Sequence, residues 1–405
     1  MKWAWLLVAG AAVPAQAQTG DLPPHDLVMR ALDAQPGVEA ATARIEAARA
    51  ESAALRRGSH EITAQGTLSR RTVDREGRYV EYDATVSRAF RLPGKAALDR
   101  RAGALGVDIA ENRMEDARHQ AALTLATLWY DWVLASELHR NAGMLVANQD
   151  ALVAATRRRA ELRDAAELDL QQAGASLALA KAQAGDAVAS RDRARALLET
   201  RFPDLPLPAE APALHEPSVS NDDLLRLQRL IVEHSHEIAA AAGTAERQSV
   251  LARRARADRF ADPSLGVRLF SERSGQEQGA GLFMALPLGG GHRRVLADRA
   301  SAEASAARAE QVIVEREVAG NAAADAAEFR ARQIAWHASR ESVRHAEASA
   351  ALAARGQQLG AIDLAERLYA DRQANEARAQ ELGARAAAAR LILKLRIDAH
   401  TLWIE

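Results

Sequence analysis

Four short stretches of this chain alternate apolar and polar residues one by one, and most of the remainder keeps a helical spacing. Ile62, Ala64, Gly66 and Leu68 alternate with Glu61, Thr63, Gln65, Thr67 and Ser69, and Val80, Tyr82, Ala84 and Val86 alternate with Tyr79, Glu81, Asp83, Thr85 and Ser87. Leu265, Val267 and Leu269 alternate with Ser264, Gly266 and Arg268, and Leu282, Met284, Leu286 and Leu288 form a fourth apolar row. A period of two gives a strand one apolar and one polar face. Strands are therefore expected at residues 60–70, 79–90, 264–272 and 280–288, joined by the polar, glycine-bearing tips Thr72–Arg78 and Glu272–Gly279. The alternation fits a half-buried soluble hairpin, and it equally fits a barrel strand with lipid on one side and water on the other.

The helical stretches are long. Leu98, Ala102, Leu105 and Ile109 step by four, three and four, and Leu138, Leu145 and Leu152 keep a seven-residue spacing, as helices packed in pairs require. From Lys95 to Ala160 the pattern covers 66 residues, roughly 100 Å of helix. It breaks near Glu161–Ala166 and again near Gly356–Ala361, and each time a second helix returns.

The prolines divide the chain. Five of the twelve (Pro203, Pro206, Pro208, Pro212 and Pro217) fall within residues 203–217, whereas 94–202 and 288–405 contain none. Residues 203–217 read as an extended linker between two copies of one unit. Asp26-Leu27 corresponds to Asp223-Leu224, Leu98, Arg101 and Ala102 to Leu296, Arg299 and Ala300, and Asp169-Leu170 to Asp363-Leu364. The predicted unit is helix, strand, strand, long helix, turn, long helix. Its first copy spans 18–202, with a helical hairpin over 95–200, and its second spans 218–405, with a hairpin over 292–403.

Composition narrows the setting. Aromatic residues make up 4%, charged residues 26%, and 53 Lys+Arg nearly cancel 54 Asp+Glu. Such a balance gives no footprint for nucleic acid. With no cysteine there is no disulfide, thiolate metal site or Cys nucleophile. Lys2, the apolar run Trp3–Val13 and Ala15-Gln16-Ala17 have the form of a cleavable export signal over residues 1–17. The run is too short to span a bilayer, which takes about 20 residues, and no other stretch approaches that length. Four strands cannot close a barrel, and an open sheet in lipid leaves backbone groups unsatisfied. If the hairpins lie in a membrane, several chains must pool them.

Three stretches give the chain a resemblance. Ala261-Asp262-Pro263-Ser264-Leu265-Gly266-Val267, Leu359-Gly360-Ala361-Ile362-Asp363-Leu364-Ala365-Glu366-Arg367-Leu368 and Leu395-Arg396-Ile397-Asp398-Ala399-His400-Thr401-Leu402-Trp403 occur in order on the duplicated scaffold. In this the chain resembles the TolC-type outer-membrane factors, and within them the heavy-metal branch typified by the cobalt–zinc–cadmium resistance component. The resemblance implies a mainly α-helical fold with a membrane β-barrel: a homotrimer, twelve pooled strands, and a helical periplasmic tunnel. It implies a passive exit duct rather than an enzyme, with no cofactor. A periplasmic adaptor (membrane fusion protein) and an inner-membrane resistance-nodulation-division (RND) pump would be its partners, and divalent heavy-metal cations its cargo. Other readings are the same duct serving drugs or type I protein secretion, a periplasmic adaptor, and a structural coiled-coil protein.

The residues agree that nothing here hydrolyses a nucleotide, because Gly289-Gly290-Gly291 is followed by His292-Arg293-Arg294 and not by Lys-Ser/Thr. Asp363 and Glu366 share a helical face where the family places acidic rings at the periplasmic entrance, so the resemblance makes them the gate. A solvated face beside a turn explains them as well. The turns, with Arg163, Asp164, Gly360 and Ala361, are the implied adaptor-docking tips. His234-Ser235-His236 is the closest histidine pair and chelates poorly on a helix, and His337 and His345 lack carboxylate support.

Overall fold

In a computed structural model, Gly20 and residues 22–404 are described. The expected export signal, 1–17, lies outside them. The order of elements is written twice. The first copy has α1 (His25–Asp33), α2 (Pro36–Arg57), β1 (Ile62–Val73), β2 (Gly77–Ala89), α3 (Lys95–Glu161) and α4 (Glu167–Arg201). The second has α5 (Asn221–His234), α6 (His236–Ala257), β3 (Ser264–Glu272), β4 (Glu277–Ala285), α7 (Gly291–Gln358) and α8 (Leu364–Asp398). The helix pairs match in length: 22 and 22 residues for α2 and α6, 67 and 68 for α3 and α7, 35 and 35 for α4 and α8.

Several details differ from the sequence expectation, and the first is that β1 runs on to Val73 and β2 begins at Gly77, so the tip expected at Thr72–Arg78 shrinks to 74–76. The single helix before each hairpin is two helices. Pro36, without an N–H, sits at the first position of α2, where no donor is needed. Ser235 breaks the second copy by capping α6, accepting from Ile238 N–H at 3.2 Å. The fourth strand ends at Ala285, not 288, because Pro287 has no N–H for the ladder. It begins three residues earlier than expected, since the turn Arg273–Gly275 is a tight 3₁₀ turn.

The strands form one antiparallel sheet in the order β1-β2-β3-β4, so β1 and β4 are its edges. Leu68 opposes Tyr82, Val86 opposes Val267, and Val267 opposes Leu282. Opposed residues share a face, which places every expected apolar row on one side. Leu68 is 77% exposed, Tyr82 51%, Val267 45% and Leu282 87%. A soluble monomer rarely leaves so continuous an apolar face open. The other side carries Thr63, Gln65, Thr67, Asp83, Thr85 and Arg268.

The helices and the sheet belong to two compact units. One takes the described residues up to Leu32, Thr124–Ser220 and Ala327–Lys394. Leu152, Val153, Ala173 and Leu364 form a core cluster there, and Trp129 meets Trp132 edge to face at 5.3 Å. The proline-rich stretch 203–217 belongs to this unit. Phe202, Leu205 and Leu214 are buried, and three arginines hold its carbonyls. Arg195 donates to Pro208 O and Ala209 O, Arg140 to Ala211 O and Arg385 to Leu214 O, at 3.0–3.3 Å.

The other unit takes Asp33–Leu123, Asn221–Ala326 and the residues from Leu395 on, and includes the sheet. Ala102, Leu105 and Val250 form its core cluster, flanked by Leu55, Leu98 and Leu251. A Cβ at Gly103 would lie 2.9 Å from the Cα of Ser52, so α3 and α2 meet there nearly backbone to backbone. Small residues make that approach possible.

Candidate functional site

The sheet is anchored by a buried charge network. Lys95, first residue of α3, is 1% exposed. Its ammonium donates to Phe260 O at 2.7 Å and Asp262 Oδ1 at 2.8 Å, and pairs with Asp258 at 2.9 Å, which satisfies all three of its hydrogens. Asp262 also accepts from Leu92 N–H at 2.9 Å and contacts His60 Nε2 at 2.8 Å. Burial works against the Asp262 carboxylate. The hydrogen bonds from Lys95, Leu92 and His60 outweigh it, and the Lys95 charge adds to them, holding the pKa down to about 2. Beside it Asp99 accepts from Arg91 at 2.9 Å and from Arg254 at 2.7 Å. The ends of α2, β2 and α6 and the starts of β3 and α3 are thus fixed by one set of paired ions.

The two hairpin turns hold the expected gate and tip residues, all in the first unit. Asp363 caps α8: its Oδ1 accepts from Glu366 N–H at 2.8 Å. Asp363 and Glu366 are exposed at this helix start. In the other turn the acid sits differently. Asp169 is the third residue of α4, and its carboxylate accepts from Ala166 N–H at 3.2 Å. The two turns use opposite halves of a capping box. By position in the helix Asp169 therefore corresponds to Glu366, not to Asp363. Arg163 adopts φ 62° and Gly360 φ 72°, the left-handed residues that turn each hairpin. Asp164 pairs with Arg159 at 2.9 Å, and Ala361 N–H donates to Gly356 O at 2.8 Å. Arg367 donates to Gln357 Oε1 at 3.1 Å and lies 3.8 Å from Asp371. A groove of about 370 Å³ beside these turns is lined by Gln172, Ser176, Leu179, Leu368 and Tyr369 among others.

Sequence reasoning missed a histidine cluster in the second unit. The His400 ring lies 4.8 Å from His236, 5.9 Å from His119 and 6.0 Å from His234, centre to centre. His119 Nε2 contacts Asp398 Oδ1 at 2.9 Å, and His236 Nδ1 contacts Asn112 Oδ1 at 3.2 Å. Burial, and then the other three imidazoles, push the His400 pKa down to about 4, against a small opposing pull from Asp398. Burial also raises Glu237, with Asp116 adding to it. The four histidines come from α3, α5, α6 and the chain after α8, a grouping only tertiary structure reveals. His234 and His236 join it because the break at Ser235 frees them from one helical repeat. Among the described residues, no group of three or more His, Cys, Asp or Glu side chains is arranged to hold a metal ion. No described helix is long and apolar enough to cross a membrane.

No family model and no curated protein matches the sequence. The fold does find matches among solved structures. The outer-membrane channel OprN aligns with a TM-score of 0.77 at 20% identity over 98% of both chains. CusC, solved in a study of folding and transmembrane channel formation, aligns at 0.75 and 16% identity over 92% of this chain and 91% of its own. The outer membrane protein VceC of Vibrio cholerae aligns at 0.73 and 17% over 94% and 96%. At these identities the likeness is one of fold. That fold is the TolC type expected from the sequence, a helical body carrying a small antiparallel sheet.

Proposed function

We propose that the chain is the outer-membrane channel component of a tripartite efflux system, a passive duct assembled from three copies. The observation that carries this reading is the sheet. It exposes one continuous apolar face, keeps the other mostly polar, and leaves both edges, β1 and β4, open. Lipid against the apolar face, water against the polar face and a neighbouring copy at each edge satisfy all three features together. Three four-stranded sheets give twelve strands, an even number within the range of closed membrane barrels.

In this duct the helical part faces the periplasm, and its turns meet the adaptor through Arg163, Asp164, Gly360 and Ala361. The groove beside Leu179 and Tyr369 offers apolar surface for a helical partner. Energy comes from an inner-membrane RND pump. Asp363 and Glu366 form the entrance gate: in a trimer six carboxylates would converge, attracting cations and repelling anions. Divalent heavy-metal cations are the proposed cargo, supported by the three sequence stretches and by this acidic entrance. Removal of the gene should sensitise cells to cobalt, zinc or cadmium before it sensitises them to drugs; the reverse order would assign the duct to drug efflux. Fractionation to the outer membrane, with discrete conductance in planar bilayers, is expected of the purified protein. Recovery as a soluble periplasmic monomer would overturn the whole reading.

A further inference from the structure

On the polar face of β3 and β4 two aromatic rings lie where side chains of their cross-strand partners would be. Gly266 opposes Phe283, and Phe270 opposes Gly279. A Cβ built on Gly279 would lie 2.3 Å from Cζ and 2.5 Å from Cε1 of Phe270, and one on Gly266 would lie 2.5 Å from Cε1 of Phe283. Real side chains never approach so closely, so each ring occupies the volume its partner glycine leaves vacant. Between the two pairs, Arg268 opposes Gly281. The Arg268 guanidinium lies 5.3 Å from the centre of the Phe270 ring and pairs with Asp83 of β2. Gly281 has no atom within 4 Å of its would-be Cβ, although it shares a strand and a face with Gly279.

A phenylalanine normally stands away from its sheet. Here both rings lie along it, and glycine is the only residue that leaves room. Phe270, Phe283, Gly266 and Gly279 are half-buried by one another, whereas Gly281 between them is exposed. β1 and β2 present Thr63, Gln65, Thr67, Asp83 and Thr85 on the same face, and the aromatic ring there, Tyr79, opposes Arg71 and not a glycine.

We propose that Gly266 and Gly279 are positioning residues that seat Phe283 and Phe270 flat against the wall and so set the bore of the channel. The inference rests on the duct reading, in which this face lines the lumen. Any side chain on either glycine would tip its ring into the water path, once for every copy around the barrel. The two seats therefore keep a pair of large apolar groups in the lumen without narrowing it at the level of the sheet.

Gly279→Ala is the cleaner test, because the three atoms nearest its Cβ all belong to the Phe270 ring. Gly266→Ala would also press on the Val86 carbonyl oxygen at 2.7 Å. In planar bilayers Gly279→Ala should lower single-channel conductance by roughly a third or more, as expected when a ring enters a pore lining. Gly281→Ala should leave it unchanged, and Phe270→Ala added to Gly279→Ala should restore it. Equal conductance for the two glycine variants, or no rescue, overturns the proposal while leaving the channel intact. A wild-type protein that opens no pore overturns the duct reading first. If Gly279→Ala does not assemble, the wild-type protein supplies the measurement by NMR. The Hα protons of Gly266 and Gly279 should be shifted upfield by the rings above them and those of Gly281 should not; ordinary shifts at all three glycines would refute the seating.

Discussion

The two copies of the duplicated unit agree in the lengths of their long helices and differ in nearly every side chain that fixes an end. In the first copy α3 begins with Lys95, sealed beneath the joint between α6 and β3 of the second copy. The residue in the same register on α7 is Arg293, which donates to Gly289 O, 2.8 Å away in its own copy. The first copy breaks its early helices with Pro36, the second with Ser235 between two histidines. One hairpin lines its polar face with hydroxyls, an amide and charged groups such as Asp83 and Glu81, and the other lays phenylalanine on glycine there. Helix length is what a stacked architecture must keep equal. The ends need only be satisfied, and different chemistry satisfies them.

Breaking the Lys95 joint should have the largest effect. Lys95→Met leaves Asp258 and Asp262 without their cation and should cost about 3–5 kcal/mol, as removal of one partner from a buried ion pair does. Arg293→Met, at the matching place of the second copy, should cost about 1 kcal/mol or less, since it loses a single exposed contact. Urea unfolding in detergent, followed by tryptophan fluorescence, compares the two.

The faces of the sheet come next. Arg at Leu282 or Met284 should cost roughly 2–4 kcal/mol if near the bilayer midplane, and Arg at Thr85 or Gly281 much less. Equal damage on both parities, measured as the yield of folded protein in vesicles, would mean that the apolar face does not meet lipid.

The histidine cluster exists because the second copy departs from the first at Ser235-His236. The folded pKa of His400, about 4, lies below its unfolded value near 6.5. Its contribution is therefore fully present above pH 6.5 and is lost as pH falls through 4, a change of about 2–3 kcal/mol. Stability measured from pH 7 to pH 4 should fall, and His400→Gln should flatten that fall.

The smallest effect concerns the turns. Asp363→Ala removes the cap of α8 and should cost about 1 kcal/mol, whereas Asp363→Asn keeps the cap and should cost almost nothing. Asp363→Asn combined with Glu366→Gln then isolates charge from structure. It should abolish cation preference and divalent block in bilayers without loss of stability, and unchanged selectivity would return both acids to a solvated face.

Much of this was legible in the chain itself. Alternation located all four strands and put Val80, Tyr82, Leu282 and Met284 on one face, because a period of two leaves no other choice of face. The duplicated order and the helix breaks near Glu161–Ala166 and Gly356–Ala361 were equally visible. What was hidden is tertiary. The histidines of the cluster are spread from 119 to 400 in sequence, and nothing local marks them as neighbours. Lys95 reads as an ordinary first residue of a helix until Asp258 and Asp262 close over it. Nothing local marks Phe270 and Phe283, and only the register shows that each faces a glycine. The arginines that fasten residues 203–217 could not be foreseen, because proline and missing periodicity carry no trace of them.

Closure of the sheet by neighbouring copies is the central claim, and the absence of cysteine in the natural chain makes its test clean. Thr63→Cys or Thr67→Cys on edge strand β1, each combined with Glu277→Cys or Gly281→Cys on edge strand β4, would be oxidised in outer-membrane vesicles and run on a denaturing gel. The account predicts that at least one pair links β4 of one chain to β1 of the next, giving a ladder that stops at three chains. A product that remains monomeric for every pair would contradict it.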